Sequence, residues 1–107
     1  MTDKILVLST AGSEEEARKI AHGLVERKLA ACVNIVPRIT SVYRWQGKVE
    51  EAEEYLLLVK TAAEKFGAVR EAIAELHSFE VPECVAISIA EGSQAYLDWI
   101  TESVKMS

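Results

Sequence analysis

The segment Ala31–Trp45, ACVNIVPRITSVYRW, places the strongest limit on how this chain can fold. Its β-branched and aromatic residues are typical of a strand, and Lys48–Lys60 resembles the returning strand after Gln46-Gly47, so the two predict a β-hairpin. Fifteen residues at about 3.3 Å each make a strand of about 50 Å, whereas a compact domain of this size is about 35 Å across. The hairpin is therefore expected to project beyond its own core, with a bulge or an edge position at Pro37, which has no amide hydrogen to donate.

The predicted tip of the hairpin carries Tyr43, Arg44 and Trp45. These residue types are enriched at the energetic centres of protein interfaces, and an isolated projecting ribbon is barely stable in water. We therefore expect the tip to dock on another copy of the chain. The alternative is that the aromatic rings only pack across the two strands of the hairpin.

Capping signals and apolar periodicity predict the first two helices. An apolar strand over Lys4–Thr10 is followed by Ser13 as a helix cap, with Glu16 three residues later as its capping-box partner. Thr61 and Glu64 repeat this spacing, which predicts that a second helix begins at Thr61.

A fourth strand is predicted over Cys84–Ala90, and Ser93 is expected to cap a last helix. The order is then β-α-β-β-α-β plus a C-terminal helix, the split β-α-β pattern of ferredoxin-like α+β folds. In that pattern an antiparallel sheet carries its helices on one face. The 107 residues are expected to form a single domain, 1–107.

Composition excludes several classes of partner. The net charge is −5 and basic runs are no longer than two residues, which argues against nucleic acid, because phosphate binding depends on clustered lysine and arginine. The N-terminal apolar stretch has four residues, too few for a signal peptide, and no window approaches a membrane span. We therefore expect a cytoplasmic protein without a membrane partner, in which Cys32 and Cys84 stay reduced.

Three stretches, Leu29–Thr61, Leu76–Glu83 and Gly92–Ile100, together resemble the CutA family of divalent-cation-tolerance proteins. The resemblance extends from about Lys4 to Val104 and rests on the segments A-C-V-N-I, Y-x-W-x-G and E-V-P-E in that order. It implies a ferredoxin-like fold, a tight homotrimer with interlocked hairpins, and a role in tolerance of copper and other divalent metals.

The same resemblance identifies the candidate metal ligand. Family members with a described copper site have a cysteine at the end of the first strand and two adjacent histidines after the second helix. Here the matching residues are Ser9 and Leu76-His77, so His77 is the one expected ligand that is retained. A single imidazole is a weak copper site unless a three-fold axis gathers several copies. No cofactor is required, and copper(II) or another divalent cation is the candidate ligand.

Other chemically active residues have simpler structural interpretations. His22 is expected on a solvated helix surface, and Cys32 and Cys84 are expected as small buried apolar side chains, with metal ligation as the lesser alternative. The acidic run Glu50–Glu54 alternates between the two faces of a strand, so we interpret it as a charged edge, not a focused cation site.

Two functions follow as hypotheses. The first is a trimeric, non-enzymatic cytoplasmic protein of divalent metal tolerance, because no nucleophile, phosphate loop or ligand run forms a recognisable catalytic motif. The second is a signalling trimer like the PII nitrogen regulators, which would bind a small ligand in clefts between subunits. A ferredoxin-like enzyme or RNA binder is a third, weaker hypothesis.

Overall fold

The computed structural model describes residues 2–106, which form a four-stranded antiparallel sheet and three α-helices. The elements are β1 (Lys4–Ala11), α1 (Glu14–Glu26), β2 (Cys32–Trp45), β3 (Lys48–Ala62), α2 (Phe66–Leu76), β4 (Val85–Ser88) and α3 (Gln94–Ser103). The strand order across the sheet is β2-β3-β1-β4. Both orders confirm the predicted split β-α-β-β-α-β pattern with an additional C-terminal helix.

One face of the sheet is covered by α1 and α2. Alternate residues of β1 and β3 point toward these helices, and the contact forms the main hydrophobic core. Its largest fully buried members are Val7, Leu57 and Val59 from the sheet and Ile20, Leu24, Val69 and Ile73 from the helices. Burying each side chain of this size stabilises the fold by about 1.5–3 kcal/mol, so this layer determines how the helices sit on the sheet.

The opposite face of the sheet is covered only at one end. There Ile100 of α3 and Val104, the residue that follows this helix, pack with Ala31 and Ala62. The rest, which we call the open sheet face, consists of half-buried leucines of β1 and β3 and exposed residues of β4: Leu6, Leu8, Leu56, Leu58, Val85 and Ile87. The strand register places these side chains next to one another, so the domain presents a continuous apolar surface.

The β2–β3 hairpin extends well beyond the core, as its length predicts. The molecule measures 44 Å along its longest axis and 25 and 22 Å along the others. Pairing shifts register between Val36 and Ile39, which confirms the bulge predicted at Pro37. At the tip, Gln46 and Gly47 have φ angles of 51° and 81°, the left-handed pair that suits the twist of a two-residue hairpin turn.

The prediction that Thr61 begins the second helix is wrong. Thr61 lies inside β3 opposite Ile5, is fully buried, and donates its hydroxyl hydrogen to the carbonyl oxygen of Leu29 at 2.7 Å. A short 3-10 turn, Ala63–Lys65, follows the strand before α2 begins at Phe66. A β-branched residue fits a buried strand, and here tertiary contacts outweigh the local capping signal.

The other two predicted caps, Ser13 and Ser93, both precede their helices, but only Ser13 makes a capping hydrogen bond. Ser13 precedes α1, and its hydroxyl oxygen accepts a hydrogen bond from the backbone N–H of Glu16 at 3.2 Å. The Glu16 side chain does not complete the capping box, because its carboxylate accepts instead from the backbone N–H of Ser78. Ser93 precedes α3 as predicted, but its side chain makes no capping hydrogen bond. The fourth strand is shorter than predicted, Val85–Ser88.

Candidate functional site

The imidazole of His77 is fully buried where α2 ends. Its Nε2 lies 2.6 Å from the carbonyl oxygen of Thr10, and its Nδ1 lies 3.0 Å from the backbone nitrogen of Phe79. A carbonyl can only accept and a backbone N–H can only donate, so Nε2 carries the ring proton and Nδ1 is the acceptor. Both ring nitrogens are thereby engaged within the protomer.

This arrangement bears directly on the predicted metal role of His77. A metal ligand must offer a lone pair, and the one on Nδ1 is already used by the N–H of Phe79. Ser9, the residue at the family's cysteine position, is also fully buried, and its hydroxyl has no hydrogen-bond partner within residues 2–106. In the same part of the chain, no group of three or more His, Cys, Asp or Glu side chains is placed to hold a metal ion. Metal binding at His77 stays a prediction.

Glu16 of α1 contacts the end of α2 and the chain that follows it. One carboxylate oxygen accepts the backbone N–H of Ser78 at 3.2 Å. The other is buried 3.3 Å from Nδ1 of His77 and has no hydrogen-bond partner among the described residues. Two acceptors therefore face each other across this short distance, which is an unfavourable contact. Thr10, Glu16 and His77 together fix the chain that follows α2.

That fixed segment forms one wall of a groove of about 580 Å³, which we call the hairpin groove. Phe79 and Glu83 line this wall, Tyr43, Trp45 and Glu54 line the hairpin wall, and Thr10 of β1 lies between them. Because the ring of Phe79 lies 4.5 Å from that of His77, the buried histidine supports the groove from behind.

Glu54 is the unexpected member of the hairpin groove. Its residue is only 9% exposed, and no hydrogen bond or ion pair joins its carboxylate to any residue in the described range 2–106. Glu50, Glu51 and Glu53 are exposed, as a charged edge predicts, but the same interpretation is wrong for Glu54. The alternation pattern could not reveal this, because burial begins where β3 enters the body of the domain.

The remaining candidates have ordinary surroundings. His22 is exposed, with Nδ1 3.7 Å from a carboxylate oxygen of Glu26, which confirms the surface interpretation. Cys32 and Cys84 are free thiols of intermediate burial. Burial raises the pKa of the Cys84 thiol, and the positive charge of Arg70 offsets part of that rise. Cys32 and Cys84 are therefore partly, not fully, buried apolar residues.

These features define a small α+β domain with a projecting hairpin, an uncovered apolar sheet face and an acidic, aromatic groove. The family model described as CutA1 divalent ion tolerance protein matches residues 5–103. The chain therefore belongs to the CutA1 divalent ion tolerance family, as the sequence motifs predicted. Within residues 2–106, no helix is both long enough and apolar enough to cross a bilayer.

Named relatives agree with this assignment. The divalent-cation tolerance protein CutA of Thermus thermophilus is 57% identical over 98 residues, which are 92% of this chain and 95% of that protein. Human protein CutA is 42% identical, but the match covers 56% of its length, so this chain spans just over half of that relative. The crystal structure of CutA1 from Oryza sativa superposes with a TM-score of 0.95 at 40% identity, over 99% of this chain and 97% of the rice chain.

Proposed function

We propose that this protein serves divalent-metal tolerance as a homotrimeric, non-enzymatic protein of the cytoplasm that binds copper(II) or another divalent cation weakly. The open sheet face is the observation that carries the assembly part of this proposal. Apolar side chains left at the surface of one protomer are removed from water when a second copy covers them. Family membership supports the metal-tolerance part.

The hairpin supports self-association independently. Tyr43 and Trp45 are 43% and 48% exposed at the far end of the long axis, where within the described protomer they have no core to enter. A second copy would cover them and support a ribbon that is marginal alone. We assign the docking contact to Tyr43, Arg44 and Trp45 together with the open sheet face.

Assembly is tested by charge substitution on the open sheet face. Ile87→Lys places an ammonium group on a residue that is exposed in the protomer, so the domain itself should still fold. We expect light scattering coupled to size exclusion to show a smaller mass for this variant. The control, Val25→Lys, changes an exposed apolar residue of α1 outside that face and should keep the wild-type mass. An unchanged mass for Ile87→Lys would show that the open sheet face is not part of the interface.

The contribution of the hairpin tip needs its own variant. Tyr43→Ala combined with Trp45→Ala removes both rings while leaving the Gln46-Gly47 turn in place. We expect weaker assembly on dilution and a lower melting temperature. A double variant that keeps its mass and melting temperature would show that the tip is not an anchor.

Weak metal binding is tested by calorimetric titration of copper(II) into the tag-free, reduced protein. Since both nitrogens of His77 are engaged, coordination there must displace the N–H of Phe79, which lowers the expected affinity. His77→Gln should abolish saturable binding, whereas His22→Gln, a change at an exposed histidine, should preserve it. Binding that survives in His77→Gln would show that the metal binds at another site. No binding by the wild type would contradict the copper part of the proposal.

The second candidate function is a ligand-responsive trimer of the PII type, and the hairpin groove is the observation that favours it. Its volume lies in the range of small-molecule sites, about 300–1,000 Å³. The lining carboxylates repel phosphates, so we expect ATP and ADP to leave the melting temperature unchanged. A nucleotide-induced rise would favour the PII type over the first proposal.

A further inference from the structure

We infer that the β-bulge of the hairpin forms a binding site for a small organic carboxylate, which the guanidinium groups of Arg18 and Arg38 hold. The site is a pocket of about 310 Å³, which we call the bulge pocket. It is lined by Glu14, Arg18, Ile35, Pro37, Arg38 and Tyr55. This volume is at the lower end of the range for small-molecule sites, about 300–1,000 Å³, so it suits a ligand of few heavy atoms.

The bulge determines where Arg38 lies. The shift in strand register leaves two residues of β2, Pro37 and Arg38, opposite the single residue Tyr55 of β3. Arg38 has a φ angle of 59°, in the left-handed region that residues other than glycine rarely adopt. Bulges redirect side chains and are common beside functional sites, and such a backbone conformation persists only where the surrounding structure enforces it. The bulge therefore places Arg38 at the wall of the pocket.

The apolar walls of the bulge pocket are anchored in the main core. Ile35 and Tyr55 are partly buried and pack against that core. Ile35 pairs with Leu57, a fully buried core residue, so its side chain lies on the helix-covered face of the sheet. The bulge pocket thus lies on the opposite side of the hairpin from the rings of Tyr43 and Trp45 and from the open sheet face, which are the surfaces we assign to assembly.

The two arginines of the pocket differ in their partners. Nε of Arg18 donates to a carboxylate oxygen of Glu14 at 3.0 Å, and the two side chains are 63% and 57% exposed. An exposed pair of this kind contributes little, and the four N–H groups on the terminal nitrogens of Arg18 remain available. Arg38 is exposed and, unlike Arg18, makes no ion pair with any residue in the range 2–106.

The charges of the lining fit a single carboxylate. Two guanidiniums and one carboxylate leave the pocket with one positive charge, in a chain whose net charge is −5. A guanidinium offers parallel N–H groups that match the two oxygens of a carboxylate. A phosphate dianion would bring a second charge that the pocket does not balance and that Glu14 repels.

The other lining residues define the rest of the ligand. Ile35, Pro37 and the ring of Tyr55 offer apolar surface beside the arginines. The fitting ligand therefore directs its carboxylate at Arg18 and Arg38 and places an apolar or aromatic body against that surface. This assignment goes beyond the proposed metal function and does not depend on it.

The test uses the assembled wild-type protein, titrated with sodium benzoate and sodium hexanoate while NMR records its backbone amide shifts. Benzyl alcohol serves as a neutral compound of similar size. We expect at least one carboxylate to bind saturably, with shifts at Arg38 and Tyr55, and the alcohol not to bind. Arg38→Gln should lower the affinity by about tenfold or more, equivalent to about 1.4 kcal/mol. The control Arg70→Gln removes an exposed guanidinium outside the pocket lining and should leave the affinity unchanged.

A second pair of variants tests the site by a gain of affinity, and it applies even if Arg38→Gln fails to fold. Glu14→Gln removes the carboxylate that bonds Arg18 and makes the pocket more positive, so benzoate should bind severalfold more tightly. The matched control Glu15→Gln changes the neighbouring exposed carboxylate outside the pocket lining and should have a smaller effect. Equal effects of the two substitutions, or weaker binding by Glu14→Gln, would overturn the site.

A carboxylate side chain of a second copy offers the same chemistry as a free carboxylate, and the assembled mass separates the two sources. If the wild type binds neither benzoate nor hexanoate, the inference is overturned. A lower assembled mass of Arg38→Gln, but not of Arg70→Gln, would then show that Arg38 pairs with a second copy. Saturable binding that is equal in wild type and Arg38→Gln, or tighter binding of inorganic phosphate than of benzoate, also overturns the inference.

Discussion

Nε2 of His77 donates a hydrogen bond across 2.6 Å to the carbonyl oxygen of Thr10, which lies 67 positions earlier in the chain. The bond ties the end of α2 to the end of β1, and the N–H of Phe79 completes the ring's bonding through Nδ1. A side chain that sequence motifs mark as a metal ligand thus supports the wall of the hairpin groove.

Replacing His77 should destabilise the protein far more than replacing the other histidine. His77→Gln cannot reach both partners in the same geometry, so buried polar groups of Thr10 and Phe79 lose their bonds. We expect the free energy of unfolding to fall by about 2–3 kcal/mol in denaturant titrations. His22→Gln, at a residue with a side chain 70% exposed, should change it by less than about 0.5 kcal/mol. Equal effects of the two substitutions would contradict the structural role of His77.

Substitutions at Glu16 should separate the effects of its two carboxylate oxygens on stability. In Glu16→Gln the amide oxygen can still accept from the N–H of Ser78, while an NH₂ group replaces the carboxylate oxygen that faces the acceptor Nδ1 of His77, so two acceptors no longer face each other. We expect this variant to melt at the wild-type temperature or above it.

The matched variant Glu16→Ala removes both contacts and leaves the N–H of Ser78 without its carboxylate. We expect it to lose about 1–2 kcal/mol of unfolding free energy. Thermal and denaturant unfolding of the two variants check this order. If Glu16→Gln were less stable than Glu16→Ala, the interpretation that two acceptors face each other would be contradicted.

The hydroxyl of Thr61 should matter as a buried donor and not as a helix cap. Thr61→Val keeps the shape but leaves the carbonyl oxygen of Leu29 without its 2.7 Å bond, so we expect a loss of about 1–2 kcal/mol in unfolding free energy. Thr61→Asn, a good replacement at a helix cap, should be worse, because a larger polar amide does not fit a fully buried position. A well-tolerated asparagine would instead favour the capping interpretation.

The thiol of Cys84 should react slowly at neutral pH. Burial raises its pKa, while the charge of Arg70 lowers it and that of Glu83 raises it further. The thiolate is the reactive form, so alkylation by iodoacetamide should be slower than for a free thiol and increase about tenfold per pH unit below the pKa.

The same measurement in a Cys32→Ser background isolates Cys84, and Arg70→Gln should move the alkylation profile to higher pH. Because the pKa is raised in the folded protein, the stability contributed by this thiol is present at neutral pH and is lost as pH rises through the folded value. A profile displaced to lower pH by Arg70→Gln would show that the guanidinium does not act on the thiol.

Much of the architecture was predictable because it depends on near neighbours in the chain. The run Ala31–Trp45 and its return after Gly47 required a ribbon longer than any compact core of this size, and the molecule is 44 Å long. Pro37 required a bulge because it has no N–H, and Ser13 capped α1 through a bond three residues away. Such features depend on backbone geometry within a few residues, so they can be predicted from the local order of residue types.

The roles of Thr61, His77 and Glu54 depended instead on packing. Thr61 satisfies a capping pattern, yet its hydroxyl bonds a carbonyl 32 positions away. The bond from Nε2 of His77 to the carbonyl of Thr10 spans 67 positions. Glu54 looks like its acidic neighbours but is buried where the hairpin meets β1 and the loop after α2. Residue type and spacing determined which side chains can bond, whereas partners and burial were decided by distant segments that meet only when the sheet and helices pack.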